Sequence, residues 1–268
     1  MYGTVERVER LTPSMVRIVF GGAGLDDFTP TDRTDQYVNA LFIPDGAGYA
    51  APFDVEEARS AAPEKRPRGR RYTVRAWDPT QRLLTIDFVA HGDVGFAGRW
   101  AQHASPGDRL QMVGPSGSYR PDPAADWYLF SGDESAVPAI AASLEVVPAG
   151  KRCVGRIVVD SADHEFDPAT WRTDGDVDLV WLHRSTAPEP EQLMTEAIEG
   201  LDWPDGVADV FVHGEAGEVR SLRKHLVSDR SIDAGKASIS PYWRRDHTDE
   251  AWRAIKKQWL ADQANDVR

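Results

Sequence analysis

The segment Arg70-Arg71-Tyr72-Thr73 combines residue types that can hold a phosphate beside a flat ring. On a β-strand, Arg70 and Tyr72 are two residues apart and point to one face. A guanidinium binds phosphate through two parallel hydrogen bonds, and a tyrosine ring offers a planar surface. The surrounding segment 64–75 holds six basic side chains and one acidic one, although the whole chain has a formal net charge of −12. This concentration of positive charge predicts an anion site; a solvated basic strand edge is the alternative interpretation.

A second candidate site lies in the segment DFVAHGDVGFAGRWA at 87–101. The segment predicts the end of a strand at His91 and a short helix that begins after Gly95. A helix N-terminus preceded by glycine presents backbone N–H groups that favour a diphosphate. We therefore expect a diphosphate contact at this helix start.

A third candidate site follows the apolar segment DWYLF, where GDESAVPAI at 132–140 leads into a predicted helix. Ligands of parallel sheets bind at the C-terminal ends of the strands, so this turn predicts part of a binding crevice. After the next strand, Asp160 or Asp163 could hydrogen-bond the ribose diol of a nicotinamide nucleotide. A carboxylate there would repel the 2′-phosphate of NADPH, which favours NADH; a simple acidic loop is the alternative.

The elements that must position these residues change character near residue 122. Residues 1–122 read as short alternating strands separated by turns, which predicts an antiparallel β-barrel. Residues 123–246 alternate strands with helices, which predicts a parallel sheet covered on both faces. We therefore expect a β + α/β fold, with the barrel first, an NAD(P)H-type α/β domain second and a helix at the C-terminus.

The last segment, 247–268, predicts that C-terminal helical extension. Trp252, Ile255 and Trp259 recur at i, i+3 and i+7, and most residues between them are polar. We expect these three side chains to pack one face of an amphipathic helix onto the body of the protein.

Composition excludes several classes of function. The single cysteine excludes an intramolecular disulfide and an iron–sulfur cluster held by four thiolates of one chain. The seven histidines show no metal-ligand spacing, so we expect no metal site. The acidic balance disfavours nucleic acid as a partner. No apolar run approaches the roughly 18 residues of a membrane span, and the N-terminus lacks a signal-peptide pattern, so we expect a cytoplasmic monomer.

Six segments in order, RRYT, DFVAHGDVGFAGRWA, PGDRLQMVGPSGSY, SGDESAVPAI, VHGEAGEVRSLRKHL and YWRR, together closely resemble the siderophore-interacting protein family. The resemblance runs over almost the whole chain. Members of this family are FAD-dependent ferric-siderophore reductases of the ferredoxin-reductase-like superfamily. The resemblance implies a noncovalent FAD in the barrel, reduction of Fe(III) to Fe(II) within a siderophore, and release of iron in the cytoplasm.

The resemblance also assigns cofactor contacts residue by residue. Those that would hold FAD are Arg70, Tyr72, Thr73, Asp87, Val89, His91, Gly95, Ala97, Gly98 and Trp100. Those beside the flavin and the electron donor would be Asp133, Glu134, Ser135 and Trp243, with Gly214-Glu215-Ala216 on the far side of the same crevice. No side chain is expected to act as nucleophile or proton donor, because the flavin carries out the electron transfer.

The predicted substrate is a ferric siderophore, and such complexes are commonly anionic. The basic residues expected to bind it are Arg244, Arg245, Lys65, Arg66 and Arg68. For the three residues of the loop, solubility is an equally good interpretation. Asn39 stands where the family often has a lysine, which removes one charge from the expected substrate site. Phe96 and Gly98 replace the usual proline and serine of the diphosphate segment.

The sequence leaves the electron donor open among NADH, NADPH and reduced ferredoxin. A C-terminal helix that covers the nicotinamide side would favour the protein donor. Two other functions also stay open: a non-catalytic siderophore-binding or iron-delivery protein, and a general NAD(P)H:flavin-type reductase.

Overall fold

A computed structural model describes residues 1–90, 95–263 and 266 of the chain. The chain divides into two compact units, Met1–Arg120 and Pro121–Arg268. We call the first the barrel domain and the second the sheet domain. No helix in the described part of the chain has the length and apolar character to cross a membrane.

The barrel domain is a closed six-stranded antiparallel barrel in the order β1-β2-β5-β4-β3-β6. Its elements are β1 (Tyr2–Thr12), β2 (Met15–Gly21), β3 (Tyr37–Phe42), α1 (Val55–Ser60), β4 (Arg68–Asp78), β5 (Leu83–Val89), α2 (Phe96–His103) and β6 (Arg109–Ser116). The closed antiparallel barrel predicted from the alternating pattern is confirmed. Closure leaves no unpaired strand edge in the barrel.

The barrel core comes from the inward positions of these strands. Leu84, Ile86 and Phe88 alternate along β5 and are fully buried, as the period of two requires. Helix α2 packs against β2, β3 and β5 and adds Ala97 and Ala101 to the core. The helix expected after Gly95 is therefore present, and its apolar side closes on the barrel.

The sheet domain has five parallel strands in the order β11-β10-β7-β8-β9. Its elements are β7 (Trp127–Asp133), α3 (Val137–Leu144), β8 (Arg152–Val159), β9 (Asp176–His183), α4 (Leu193–Glu199), β10 (Ala208–Glu215), α5 (Ala216–Ser228), β11 (Ser238–Trp243) and α6 (Asp249–Gln263). Strand β7 is buried at every position because it is the central strand. The chain continues from β7 to β8 on one side and places β10 on the other, so β7 and β10 flank the switch point where such sheets bind ligands.

The C-terminal helix α6 packs on the sheet domain through Trp252 and Trp259, two of the three residues expected. Trp252 is buried and lies 5.5 Å from the Trp259 ring, whereas Ile255 is 37% exposed. The expectation that Ile255 packs onto the body is wrong; Lys256 contacts the body instead, and its Nζ donates to Pro241 O at 2.6 Å. At about 100° per residue, Lys256 and Ile255 lie on opposite sides of Trp252, and Ile255 falls at the edge of the contact face.

Candidate functional site

The first candidate motif lies on β4, where Arg70 and Tyr72 share one face of the strand. The Tyr72 ring lies 4.4 Å from the ring of Phe88 and packs against the barrel core. Arg70 is half-buried, and its Nη1 donates to Gly69 O at 3.0 Å. Thr73 is buried with 8% of its surface exposed. The strand therefore presents a guanidinium and an aromatic ring on the same side, two residues apart.

The aromatic side chains of α2 and the barrel form one cluster around Tyr72. Trp100 stacks on Phe20, with 6.3 Å between ring centroids and 11° between planes. It also contacts Phe42 at 5.8 Å and Phe88 at 6.0 Å, and both of these rings contact Tyr72. The structure thus brings Tyr72 and Trp100 together through shared neighbours, and it places the Trp100 ring against the core.

The N-terminus of α2 begins at Gly95, which has φ = 80°. A Cβ built on Gly95 would have no atom of the described residues (1–90, 95–263 and 266) within 4 Å, so these residues leave space beside the first turn. The guanidinium of Arg68 lies 5.9 Å from the centroid of the Phe96 ring. This contact places the start of β4, and with it the basic segment, beside the N-terminus of α2. Ala97 is buried below it and Gly98 is half-buried.

The other predicted FAD residues lie at the end of β5. Asp87 is 4% exposed, and both of its carboxylate oxygens accept from Arg17, at 2.7 and 2.8 Å. Arg17 is its partner in the register of β2 and β5. The side chain of Asp87 is therefore engaged in a bidentate ion pair. Val89 is half-buried at the last position of β5, and His91 lies outside the described residues.

Of the predicted substrate residues of the barrel domain, Lys65 and Arg66 follow α1 in an exposed turn, and Arg68 begins β4. Lys65 and Arg66 are exposed, and Arg66 Nε donates to Ala61 O at 2.8 Å. Arg68 Nη2 donates to Pro63 O at 3.4 Å. These arginines bond to neutral backbone carbonyls, so their positive charge is not cancelled by these contacts.

In the sheet domain, Asp133 ends β7 and is 1% exposed. Its Oδ1 accepts from the N–H and the hydroxyl of Ser135, and its Oδ2 accepts from Trp243 Nε1 at 2.7 Å. Burial, followed by the neighbouring Glu134, raises the pKa of Asp133, while the Ser135 and Trp243 hydrogen bonds act in the opposite direction. The predicted residues Asp133, Ser135 and Trp243 are thus joined in one hydrogen-bonded group.

Glu134 forms a buried ion pair that the sequence analysis did not predict. Its Oε1 accepts from Arg184 Nη1 at 2.6 Å, and the two side chains are 5% and 18% exposed. Arg184 directly follows β9. The sequence signal for this pair was the position of Arg184 directly after an apolar strand. Parallel strands bring their C-terminal ends to one edge of the sheet, where Glu134 also lies.

Glu215 and Glu218 organise the start of α5. Glu215 caps the helix by accepting from the N–H groups of Gly217 and Glu218, at 2.6 and 3.1 Å, and it also accepts from the Arg245 N–H. Glu218 is 1% exposed and accepts from Arg245 Nη2 at 3.1 Å. Burial raises the pKa of Glu218 to about 8. The sequence analysis did not identify Glu218.

The two arginines of the YWRR segment have partners within the sheet domain. Arg245 pairs with Glu218 and, at 3.4 Å, with Glu191. The Arg244 guanidinium lies 6.0 Å from the Trp252 ring. Arg245 and its glutamates border a cavity of about 460 Å³ between the starts of α4 and α5. Asp160 and Asp163, the predicted ribose contacts, are exposed after β8.

The chain matches two described protein families along its length. Residues 4–119 match the family described as the siderophore-interacting FAD-binding domain, and residues 125–246 match the siderophore-interacting protein family.

Named relatives and a solved structure give the same result. The chain is 32% identical to the ferric vibriobactin reductase ViuB of Vibrio cholerae, covering 92% of this chain and 90% of that protein. It is 31% identical to the NADPH-dependent ferric-chelate reductase of Escherichia coli, covering 90% and 91%. A siderophore utilization protein from T. fusca superposes with a TM-score of 0.79 at 33% identity, covering 92% of this chain and 94% of that one. The chain therefore belongs to the siderophore-interacting protein family, a family of FAD-dependent oxidoreductases.

Proposed function

We propose that this protein reduces Fe(III) to Fe(II) in ferric siderophores, with FAD in the barrel domain and NAD(P)H as the source of electrons. The observation that carries the proposal is the arrangement at β4 and α2. Arg70 and Tyr72 share one strand face, and Arg68 contacts Phe96 beside the open start of the helix at Gly95. Both relatives named above are named as ferric reductases, which supports the same activity.

The residues at the start of α2 fit a diphosphate. The described residues leave space beside Gly95 that a phosphate group could occupy, and a side chain at this position would extend into that space. Because glycine has no side chain, Gly95 cannot cap the helix itself, and the first N–H groups of α2 suit an external anion. Arg68 adds a guanidinium next to this position. We assign the FAD diphosphate to this helix start, with Arg70 as its partner from β4.

The ring of Tyr72 fits the flat part of the cofactor. It is half-buried, and the core rings Phe42 and Phe88 support it from below. When bound, FAD supplies a centre that accepts electrons in pairs and passes them on singly, which is the chemistry that Fe(III) reduction needs. The contribution of the chain is to hold the flavin ring against Tyr72 and to place Thr73 at the edge of the flavin. Asp87 contributes indirectly, by tying β2 to β5 through Arg17.

We assign the electron donor to the sheet domain. The turn after β7 and the end of β10 flank the switch point of its parallel sheet, the position at which such sheets bind nucleotides. The name of the E. coli relative supports a nicotinamide nucleotide. Reduced ferredoxin is the competing donor, and the experiment below separates the two.

The siderophore contact is assigned mainly to Lys65 and Arg66, because Arg68 lies beside the diphosphate position at the start of α2. Both side chains are exposed, and the contact that Arg66 makes is to a neutral backbone carbonyl, so their charge can attract an anionic chelate. Arg245 contributes less, because Glu218 and Glu191 already accept its guanidinium.

The test is anaerobic and compares donors one at a time. The purified, FAD-loaded protein is mixed with NADH, NADPH or reduced ferredoxin, and bleaching of the flavin absorbance is followed. A ferric siderophore is then added, and loss of its ferric band is measured together with capture of Fe(II) by a chromogenic chelator. We expect a nicotinamide nucleotide to bleach the flavin and the siderophore to restore it.

Two other outcomes would support different functions. A colourless protein that takes up no FAD but binds ferric siderophore would be an iron-delivery protein. Turnover with free flavin that exceeds turnover with any ferric siderophore would indicate a general flavin reductase.

A further inference from the structure

The hydrogen bond between Trp243 and Asp133 spans three strands of the parallel sheet. Trp243 ends β11 and Asp133 ends β7, and β10 lies between these two strands. Neighbouring strands lie about 4.8 Å apart, so the two strand ends are separated by roughly 10 Å. The indole Nε1 nevertheless reaches Asp133 Oδ2 at 2.7 Å. The side chain of Trp243 must therefore pass over the end of β10.

Gly214 of β10 occupies the crossing point. A Cβ at residue 214 would lie 2.7 Å from Asp133 Oδ2 and 3.3 Å from the Asp133 nitrogen. The first distance is shorter than any normal contact, and the φ of +149° at Gly214 also disfavours a side chain. A glycine is thus required here for the carboxylate to take the position in which it meets the indole. The Trp243–Asp133 hydrogen bond across Gly214 therefore joins the three segments SGDES, VHGEA and YWRR.

The carboxylate of Asp133 is also held by hydrogen bonds other than the one to the indole. Ser135 donates two hydrogen bonds to Oδ1, from its N–H and from its hydroxyl, so Oδ2 remains for Trp243. Asp133 is 1% exposed, whereas Trp243 is 37% exposed. The indole is therefore held through its nitrogen by a buried carboxylate, while part of its surface stays accessible at the C-terminal edge of the sheet.

We propose that Asp133 is a positioning residue that, across Gly214, fixes the indole of Trp243 at the ligand-binding edge of the sheet domain and thereby sets the affinity for the electron donor. The inference rests on the proposed function, because it takes the sheet domain to receive NAD(P)H. An indole that is already fixed loses no rotational freedom when a ligand contacts it. Removing the anchor should therefore weaken donor binding while leaving the later electron transfer nearly unchanged.

The first measurement reports the indole directly. The ¹H–¹⁵N peak of the Trp243 side chain is assigned by its absence in Trp243→Phe, and its exchange with solvent is measured. In the wild type we expect a protected indole proton. Asp133→Asn and Gly214→Ala should shift the peak and speed its exchange, whereas the exposed control Asp205→Asn should change neither. An unaltered Trp243 peak in Asp133→Asn would overturn the proposal.

The second measurement is steady-state kinetics with NADPH or NADH and a ferric chelate. Loss of a charge-assisted hydrogen bond should raise KM for the nucleotide about tenfold in Asp133→Asn, with kcat changed by less than about threefold. Trp243→Phe should do the same. The double variant should be no worse than Trp243→Phe alone, because Asp133 acts through the indole. An effect of Asp133→Asn that persists in full in the Trp243→Phe background would contradict the positioning role.

The two measurements separate this inference from the proposed function. If the wild type oxidises neither nucleotide, the proposed function fails and with it the link to donor affinity, while the indole peak still decides whether Asp133 fixes Trp243. Gly214→Ala carries a risk of misfolding, which far-ultraviolet circular dichroism detects. In that case the conservative Asp133→Asn and Trp243→Phe variants carry the test alone.

Discussion

Two arginines of the barrel domain and two of the sheet domain have different kinds of partner. In the barrel domain, Arg66 and Arg68 donate to backbone carbonyls, which orient a guanidinium but leave its charge in place. In the sheet domain, Arg184 and Arg245 donate to the buried side chains of Glu134 and Glu218, which occupy the guanidinium groups. The comparison explains how the positive charge of Arg66 and Arg68 stays available in a chain that is acidic as a whole. Arginine content alone does not identify an anion site, because the partner of each guanidinium decides whether its charge is available to a ligand.

The largest expected effect comes from breaking a buried pair in the sheet domain. Glu134→Ala leaves the guanidinium of Arg184, 18% exposed, without its carboxylate partner. Removing one member of a buried pair costs about 3–5 kcal/mol of unfolding free energy. Urea denaturation of the FAD-loaded protein measures the loss.

The matched control lies in the barrel domain, where Asp26 pairs with Arg82 and both side chains are about half-exposed. Asp26→Ala should cost less than about 1 kcal/mol, because exposed pairs contribute little. Similar losses in the two variants would contradict the distinction drawn between buried and exposed ion pairs.

The next effect concerns cofactor binding in the barrel domain. Arg70→Ala removes the guanidinium assigned to the FAD phosphate, and a hydrogen bond to a charged group contributes about 1.5–3 kcal/mol. FAD affinity should therefore fall about ten- to hundredfold, as measured by fluorescence titration of the apoprotein.

Arg71→Ala is the control for this prediction. Arg71 is the next residue along β4 and points to the opposite face, where its guanidinium lies 5.2 Å from the Tyr37 ring. Its replacement should change FAD affinity less than about threefold, since it removes a cation–π contact on the other side of the strand. Equal losses from both arginines would mean that general positive charge, not the position of Arg70, binds the cofactor.

A smaller effect depends on pH and tests the buried acid of the sheet domain. Burial, then Asp133, raise the pKa of Glu218 to about 8, while Arg184 and Arg245 lower it. In the unfolded chain this carboxyl titrates near about 4.3. Between the two values the folded protein holds a proton that the unfolded chain has released. The stabilisation is therefore complete below the lower pKa and is lost as pH rises through this range.

Glu218→Gln should remove this part of the pH dependence. Between about pH 5 and pH 8 the unfolding free energy of the wild type should fall relative to that of the variant. The difference between the two proteins should change by at least about 1 kcal/mol across this range. Glu196→Gln, an exposed change on α4, is the control and should follow the wild-type curve. Parallel curves for all three proteins would show that Glu218 titrates normally.

The sequence predicted local features of the fold better than contacts between distant residues. Local periodicity was enough for the barrel, the parallel sheet and their order, because alternation and buried runs are properties of adjacent residues. Glu134 and Arg184 are 50 positions apart, and Asp133 and Trp243 are 110 apart. Such partners depend on which strand ends meet, and strand order cannot be read from periodicity. The sequence therefore predicted where the candidate residues lie along the strands, but not the bonds between them.

Side-chain direction was the second limit. Trp100 occurs in a segment that predicts a phosphate contact, yet its ring stacks on Phe20. One face of the half-buried Trp100 ring thus packs on the barrel core, a contact that the motif did not indicate. The position of a residue within a motif therefore does not determine which way it points.

The smallest expected effect tests the basic surface itself. Lys65 and Arg66 are exposed, so replacing both with alanine should weaken binding of an anionic ferric siderophore only a few-fold, by about 1 kcal/mol or less. The loss should fade as salt is raised, because exposed charges more than about 10 Å away are screened at 0.1 M ionic strength. Lys257→Ala, an exposed lysine of α6, serves as the control and should leave affinity unchanged. A neutral ferric chelate that loses as much affinity as the anionic one would show that these side chains act through shape, and the charge contrast between the two domains would then have no bearing on substrate choice.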